Sequence, residues 1–265
     1  MIRLLYIFIP FIILISCNSN KESKEELTTS KSNIIKSEKT NSNSVKKKKE
    51  KAIQFNITDE NVIKKLSTYG ENNDETIILM KTSKGNMKIK LYKNTPLHRA
   101  NFIMLAKNNF YENTVFYRVI KNFMIQGGDS DASDRKQKKQ QFGRYTIPAE
   151  FNANNIHKKG ALSMAREYEN NPEKRSVSFD FFFVQGEVYS DPQLKAVELE
   201  TNITYTEEQR NIYTTIGGAP HLDNEHTVFG EVIEGLEIID SIASARVDHS
   251  YWPYTDIKIN IEIIE

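Results

Sequence analysis

The stretch of sequence that decides the fold reads Phe116-Tyr117-Arg118-Val119-Ile120-Lys121-Asn122-Phe123-Met124-Ile125-Gln126-Gly127-Gly128-Asp129. It includes most of two short runs rich in β-branched and aromatic residues, at 115–120 and 123–127, which are typical of β-strands. Because side chains alternate between the two faces of a strand, Met124 and Gln126 are expected to share one face. The stretch therefore predicts two strands joined by a short polar turn.

Similar runs recur on both sides of this stretch. Further strands are predicted at 76–82, 86–92, 160–165, 179–184, 227–232 and 256–264, and Gly85 favours a hairpin between the first two. Helices are predicted at 95–108, with Pro96 at the first helical position, and at 236–243. Many short strands with only two substantial helices favour an all-β fold, in the form of a closed and mostly antiparallel barrel.

Four blocks of sequence resemble a known family. The stretch quoted above is similar to the central signature of cyclophilins, Phe-His-Arg followed by Phe-Met-x-Gln-Gly-Gly-Asp. Three further blocks follow in the family's order: Leu162-Ser163-Met164-Ala165, Phe181-Phe182-Phe183-Val184 and Leu222-Asp223-x-x-His226-Thr227-Val228-Phe229-Gly230. The resemblance implies a closed eight-stranded antiparallel β-barrel capped by two α-helices, with the active site on the outer face of the barrel. It also implies a peptidyl-prolyl cis-trans isomerase that acts on proline-containing polypeptides.

The resemblance assigns roles to individual residues. Arg118 matches the family's catalytic arginine, which hydrogen-bonds to the proline nitrogen, and Gln126 matches the glutamine beside the substrate carbonyl. The remaining matches are substrate-binding residues. The apolar pocket for the proline ring corresponds to Phe123, Met124, Phe182 and Leu222, the adjoining groove to Ala165, and the pocket floor to His226.

The chain departs from the family at four positions expected to contact substrate or border the site. Tyr117 stands where many members have His, Arg166 where many have Asn, Asp180 where many have Gln, and His221 where some have Trp. Tyr117 and Arg166 are expected to alter the rim of the groove only. We expect Asp180 to lie near Arg118, where a carboxylate either orients the guanidinium or holds it away from substrate.

The implied reaction needs neither a nucleophile nor a metal. Rotation about a peptide bond has a barrier of about 18–20 kcal/mol, and an X-Pro bond interconverts in tens to hundreds of seconds, so a catalyst only has to lower the rotation barrier. The five histidines show no spacing typical of metal ligands. We therefore expect no metal and no cofactor.

The amino-terminal residues predict export and anchoring. Arg3 precedes an apolar run at 4–15, which is long enough for a signal peptide and too short to span a bilayer. The run ends at Leu14-Ile15-Ser16-Cys17, which resembles the lipobox of bacterial lipoproteins, so 1–17 is interpreted as a lipoprotein signal peptide with Cys17 as the lipidated residue. An ordinary cleaved signal peptide is the alternative. The expected location is the bacterial cell envelope, anchored to a membrane and facing the periplasm or exterior.

The rest of the chain divides into three parts. Residues 18–51 are rich in Lys, Ser and Asn and predict a disordered tether. Residues 52–75 contain an accessory helix with Thr58 or Asp59 as N-cap and Gly70 near its end. Residues 76–265 form the cyclophilin-like domain, with an insertion at about 188–213 whose 192–197 segment is interpreted as helical.

Charge and cysteine content narrow the function further. Lys and Arg number 36 against 35 Asp and Glu, so no electrostatic attraction to nucleic acid is expected. A single cysteine excludes an intrachain disulfide. We expect a monomer. Two alternatives to the enzyme remain open: a proline-segment binding module or chaperone with weak or no isomerase activity, and a structural envelope lipoprotein that uses the barrel as a scaffold.

Overall fold

The computed structural model describes residues 54–129 and 135–265. Eight strands close into a barrel: β1 (Ile77–Thr82), β2 (Gly85–Leu91), β3 (Thr114–Ile120), β4 (Met124–Gly127), β5 (Ala161–Met164), β6 (Phe181–Val184), β7 (Val228–Glu234) and β8 (Lys258–Ile263). Around the barrel the order is β6-β4-β3-β8-β1-β2-β7-β5, and every neighbouring pair is antiparallel. The predicted closed antiparallel barrel is confirmed.

The alternation of side chains on β6 separates the interior of the barrel from an outer apolar face. Phe181 and Phe183 point into the main core, where they pack with residues such as Ile125. Phe182 and Val184 point the other way and join a second buried apolar cluster. A run of four apolar residues thus supplies both surfaces of this wall, as a strand covered on both faces requires.

The described residues also form six α-helices: α1 (Val62–Glu71), α2 (Pro96–Lys107), α3 (Arg135–Phe142), α4 (Asp191–Thr201), α5 (Glu207–Thr215) and α6 (Glu237–Ala243). The two predicted capping helices are α2 and α6, whose Phe102 and Ile239 lie in the main core. The Glu150 carboxylate accepts the backbone N–H groups of Leu97 and His98 at 3.0 and 2.9 Å. It thereby satisfies free donors of the first turn of α2 and complements the helix dipole.

The accessory helix begins later than predicted. Neither Thr58 nor Asp59 is its N-cap; that position is Asn61, whose Oδ1 accepts the Thr58 N–H at 3.0 Å. The Asp59 carboxylate instead accepts the N–H and hydroxyl of Thr146, at 2.6 and 2.8 Å. The Asp59 carboxylate, which the sequence pattern predicted as a helix N-cap, is therefore used in a tertiary contact.

The insertion contains two helices where the sequence analysis predicted one. The predicted helical segment lies within α4, and α5 follows it. Each begins with a capping box, Ser190 with Gln193 and Thr206 with Gln209. Leu194, Tyr205 and Tyr213 bury their side chains with Ile156 in a small core of their own.

Three further features complete the described chain. Helix α3, which the sequence analysis did not predict, is fixed by the buried Arg135 and Phe142 at its ends. Two short pairings flank it: Ile57–Thr58 with Gly143–Arg144, and Thr146–Ile147 with Ser176–Val177. Within residues 54–129 and 135–265, no helix has the length and apolar character needed to cross a bilayer. The signal peptide predicted at 1–17, with Cys17, and the tether predicted at 18–51 lie outside the described residues.

Candidate active site

A pocket of about 180 Å³ opens on the outer face of the barrel. The antiparallel strands β3, β4 and β6 form its base, and the turn of 3₁₀ helix at Pro220–Leu222 forms one wall. Ten residues line it: Arg118, Phe123, Met124, Gln126, Ala165, Arg166, Tyr168, Phe182, Leu222 and His226. Nine of these ten are residues that the sequence analysis assigned to the site; Tyr168 is the addition.

The apolar part of the pocket is built by the second buried cluster. Met124, Phe182 and Leu222 are each 5% exposed or less, and Phe123 packs against them as a partly buried residue. Met124 and Phe182 come from the paired strands β4 and β6, on the face that points away from the barrel core. Such a concave apolar surface fits a compact aliphatic ring.

Arg118 and Gln126 stand side by side at the rim of this pocket. They are partners in the register of β3 and β4, which places both side chains on the same face. Arg118 Nη1 donates a hydrogen bond to Gln126 Oε1 at 3.2 Å, and the arginine side chain is exposed. The guanidinium therefore reaches solvent and the pocket at once, with one of its five N–H donors used.

His226 forms the floor of the pocket and is neutral at physiological pH. Burial lowers its pKa to about 4. Its Nδ1 contacts the Met164 carbonyl at 3.1 Å and its Nε2 contacts the Tyr168 hydroxyl at 2.8 Å. Since a carbonyl can only accept, Nδ1 carries the hydrogen and Nε2 accepts from Tyr168. The ring is thus a fixed, uncharged wall and not a proton donor at the site.

The position of Asp180 corrects one expectation. Its carboxylate does not pair with Arg118; Oδ1 accepts the Tyr117 hydroxyl at 2.8 Å. Tyr117, which was expected at the rim, is partly buried. Its hydroxyl oxygen also accepts a hydrogen bond from Gln126 Nε2 at 2.6 Å. Asp180 therefore lies behind Gln126 and does not line the apolar pocket, and burial raises its pKa to about 6.

The remaining predicted residues lie along the edges of the pocket. The guanidinium of Arg166 binds the backbone carbonyl and carboxylate of Glu225, at 2.7 and 2.5 Å, and stacks over the Tyr168 ring at 4.1 Å. Ala165 is partly buried beside it. His221 is exposed and does not line the pocket, although its ring centroid is 5.5 Å from that of Phe123.

A buried polar cluster behind the pocket was not predicted as part of the site. The Asp223 carboxylate accepts the His157 backbone N–H and contacts His157 Nδ1, both at 2.8 Å through Oδ1. Its Oδ2 accepts the hydroxyls of Tyr205 and Tyr213 at 2.9 and 2.5 Å. The sequence signal was the aspartate within the Leu222-to-Gly230 block, to which the pattern assigned no role.

Metal ligands are not assembled in this part of the molecule. Over residues 54–129 and 135–265, no group of three or more His, Cys, Asp or Glu side chains is arranged to hold a metal ion. What the arrangement offers chemically is an apolar recess, a fixed amide and a positively charged hydrogen-bond donor.

Solved structures define the class of fold. The barrel is similar to crystal structures of a cyclophilin type peptidyl-prolyl cis-trans isomerase from Cryptosporidium parvum, at TM-scores of 0.51 and 0.52 and 22% and 23% sequence identity. The two comparisons cover 72% and 71% of this chain and 98% and 99% of the solved chains. The fold is therefore that of the cyclophilins.

Sequence comparison identifies the family. Residues 77–262 match the family model described as cyclophilin type peptidyl-prolyl cis-trans isomerase/CLD. A protein of Staphylococcus aureus (strain COL), named as an inferred peptidyl-prolyl cis-trans isomerase, is 36% identical over 186 residues, covering 70% of this chain and 89% of the relative. A relative from Staphylococcus saprophyticus, named in the same way, is 35% identical over 196 residues, covering 73% of this chain and 94% of its own. The chain belongs to the cyclophilin-type peptidyl-prolyl cis-trans isomerases, and its enzyme class is that of the family.

Proposed function

We propose that this isomerase accelerates rotation about X-Pro bonds of exported polypeptides and that Arg118 is its catalytic residue. One observation carries the proposal: an exposed guanidinium, held by Gln126, stands at the rim of an apolar pocket of about 180 Å³. One of the fold relatives was solved in the presence of the dipeptide Ala-Pro. A proline ring is likewise the substrate group that the pocket of Phe123, Met124, Phe182 and Leu222 fits best.

The physical basis is a difference between ground and transition states. In a planar X-Pro bond the nitrogen lone pair is shared with the carbonyl, and it becomes available as an acceptor only when the bond twists. A guanidinium N–H aimed at this nitrogen therefore gains a hydrogen bond in the transition state that it lacks in the ground state. The proposed role of Gln126 is to hold Arg118 through its Oε1 and to orient the substrate beside it.

The test compares catalysis with binding in the full chain solubilised in mild detergent. Losing one preorganised donor to a transition state costs about 2.7–4 kcal/mol, so Arg118→Ala should lower kcat/KM for a proline peptide by about 10²–10³. The dissociation constant for the same peptide should change much less, because the apolar pocket is intact. Arg118→Lys should recover little, since an ammonium lacks the planar fork of the guanidinium.

A matched control is Arg246→Ala. Arg246 is also exposed and packs over Tyr254, but it lines a different cavity from Arg118. This variant should retain the wild-type rate. Full activity of Arg118→Ala would overturn the proposed mechanism, and an inactive wild type that still binds proline peptides would favour the binding module over the enzyme.

We further propose that the enzyme is a lipoprotein of the bacterial cell envelope, anchored through Cys17. The support is the order of features in the sequence: a short apolar run, Cys17 as the chain's single cysteine directly after it, and a polar segment before the folded domain. Several acyl chains, at about 0.8 kcal/mol per buried CH₂, make a durable anchor. Such an anchor would hold the pocket near polypeptides that emerge from the export machinery.

A further inference from the structure

Three hydrogen bonds connect Arg118 to Asp180. Arg118 Nη1 donates to Gln126 Oε1 at 3.2 Å, Gln126 Nε2 donates to the Tyr117 hydroxyl oxygen at 2.6 Å, and the Tyr117 hydroxyl donates to Asp180 Oδ1 at 2.8 Å. Tyr117 and Asp180 are two of the positions at which the chain departs from the family pattern. The structure shows that these two residues contact each other.

The direction of each hydrogen bond in this series follows from the charge on Asp180. An ionised carboxylate can only accept, so the Tyr117 hydroxyl donates to it. The Tyr117 oxygen is then free to accept, and Gln126 must turn its NH₂ group toward it. The amide oxygen of Gln126 consequently faces Arg118, which can only donate.

We propose that Asp180 and Tyr117 are positioning residues that fix Gln126 and, through it, aim the guanidinium of Arg118 at the substrate. The inference rests on the catalytic role proposed for Arg118. An exposed arginine side chain has many rotamers, and within the described residues the guanidinium of Arg118 makes one side-chain hydrogen bond, the one to Gln126. Fixing the acceptor therefore fixes the approach of the donor, which is what a reaction that depends on orientation requires.

Protonation of Asp180 allows the series to reverse, because the carboxyl group then carries a donor as well as an acceptor. A protonated carboxyl can donate to Tyr117, whose hydroxyl hydrogen then points toward Gln126. The Gln126 amide would then turn so that its Oε1 accepts the Tyr117 hydroxyl and its Nε2 faces Arg118. The Gln126 NH₂ group and the Arg118 guanidinium are both donors, so no hydrogen bond could form between them. Arg118 would lose its fixed orientation, while the apolar pocket would be unchanged.

The surroundings of Asp180 bring this change into an accessible pH range. Burial raises its pKa to about 6; the hydrogen bond from Tyr117 opposes the rise, nearby Asp129 adds to it and Lys139 of α3 opposes it. Burial also raises the pKa of Tyr117 above its ordinary value, so the phenol stays protonated at any ordinary pH. Among the described residues, the other titratable groups that face Asp180 or its groove are Tyr111, Lys136, Arg144, Tyr145 and Glu167.

The experiment is a pH profile of kcat/KM from pH 4.5 to 8.5 on a proline peptide without titratable side chains, using the full chain in mild detergent. The wild-type rate should fall by about tenfold as the pH falls through about 6, because a misaligned group loses rate steeply. Asp180→Asn should remove the inflection, and Tyr117→Phe should be slow at every pH. Peptide affinity should be nearly constant in all three proteins.

Two controls separate the causes. His221→Gln removes an imidazole whose ring centroid lies 5.5 Å from that of Phe123, and this variant should keep the inflection. The imidazole of His226 on the pocket floor is already neutral through this pH range, because burial lowers its pKa to about 4. Arg118→Ala should be slow and independent of pH. An inflection that survives Asp180→Asn, or a fast Tyr117→Phe, would overturn the positioning proposal while a slow Arg118→Ala left the proposed mechanism standing. A fast Arg118→Ala would overturn both.

Discussion

Removing the hydroxyl of Tyr213 tests whether the insertion supports the proline pocket. Tyr213 and Tyr205 both donate to Oδ2 of Asp223, a residue only 7% exposed, and Oδ1 is already occupied by two contacts from His157. A hydrogen bond to a charged group contributes about 1.5–3 kcal/mol, so Tyr213→Phe should lower the free energy of unfolding by about that amount. This is a substantial part of the 5–15 kcal/mol typical of a whole domain.

The same variant should weaken substrate binding more than catalysis. Asp223 directly follows Leu222, and the His157 ring stacks on Phe182 with centroids 6.1 Å apart and an interplanar angle of 11°. Two walls of the proline pocket thus depend on a carboxylate that the inserted helices help to hold. We expect a several-fold rise in KM for a proline peptide with kcat nearly unchanged, since Arg118 and Gln126 are not part of this cluster.

The assay is urea denaturation of the full chain, with peptide titrations at a temperature where the variants remain folded. Tyr189→Phe is the matched control, because Tyr189 lies in the same cluster and its ring is 6.5 Å from that of Tyr213, but it does not bond to Asp223. The control should stay within about 0.5 kcal/mol of wild type. A Tyr213→Phe variant as stable as the control, with the same KM as wild type, would refute the reasoning.

Three further predictions concern charge and anchoring. Asp180→Asn should raise the free energy of unfolding at pH 7.5 by up to about 3 kcal/mol and leave it unchanged near pH 3.5, as urea denaturation at the two pH values can check. Burial raises the pKa of Asp180 in the native state from 3.8 to about 6, so the stability of the wild type falls as the pH rises through that interval. The wild type should lose about 3 kcal/mol of its free energy of unfolding as the pH falls from 6.5 to about 4, because the buried His226 ring becomes charged on unfolding, and His226→Gln should remove this loss. If thermal denaturation showed the same dependence of stability on pH for both proteins, the prediction would be contradicted. Cys17→Ala should move the protein from the detergent phase to the aqueous phase in a partitioning experiment, with isomerase activity retained, and unchanged partitioning would exclude the lipid anchor.

The barrel could be predicted because its strands carry two independent signals. Runs such as Phe181–Val184 have the composition of strands, and the four sequence blocks place them in a known order. The boundaries shifted by a residue or two where hydrogen bonding ends before the apolar run does, as at Met124, which begins β4 one residue after the predicted start. Pattern and resemblance were sufficient at this level because alternation assigns side chains to the two faces of each strand and the resemblance implies an eight-stranded barrel.

The accessory and inserted helices show where local patterns fail. Aspartate is a favoured N-cap residue, but the N–H and hydroxyl of Thr146, which is distant in sequence, donate hydrogen bonds to the Asp59 carboxylate. Helix α5 went unpredicted although Thr206 and Gln209 form a capping box, because the helix carries few apolar residues and buries only Tyr213. For Asp59 the deciding interaction is tertiary and cannot be deduced from the segment alone, whereas the capping box of α5 was a local signal that could have predicted the start of that helix.

The candidate site shows the same limit in a more consequential form. When the sequence is compared with the family pattern one position at a time, Tyr117 and Asp180 are two separate departures, one expected at the groove rim and one beside Arg118. In the structure their side chains form one hydrogen-bonded pair at 2.8 Å, and the hydrogen bonds that link this pair to the Arg118 guanidinium run through Gln126. Their combined effect is therefore on orientation rather than on the charge next to the guanidinium.

The loop at 166–175 borders the pocket through Arg166 and Tyr168. Arg166 departs from the family pattern. Its guanidinium donates a hydrogen bond to the Glu225 carboxylate and stacks over the Tyr168 ring. Tyr168 in turn donates to His226 on the pocket floor at 2.8 Å. Substitution of Arg166 should therefore loosen Tyr168, and with it one of the two hydrogen bonds that hold the His226 ring. The residues that depart from the family pattern on the two sides of the pocket thus each have partners in the structure: Tyr117 binds Asp180, and Arg166 binds Glu225 and packs over Tyr168.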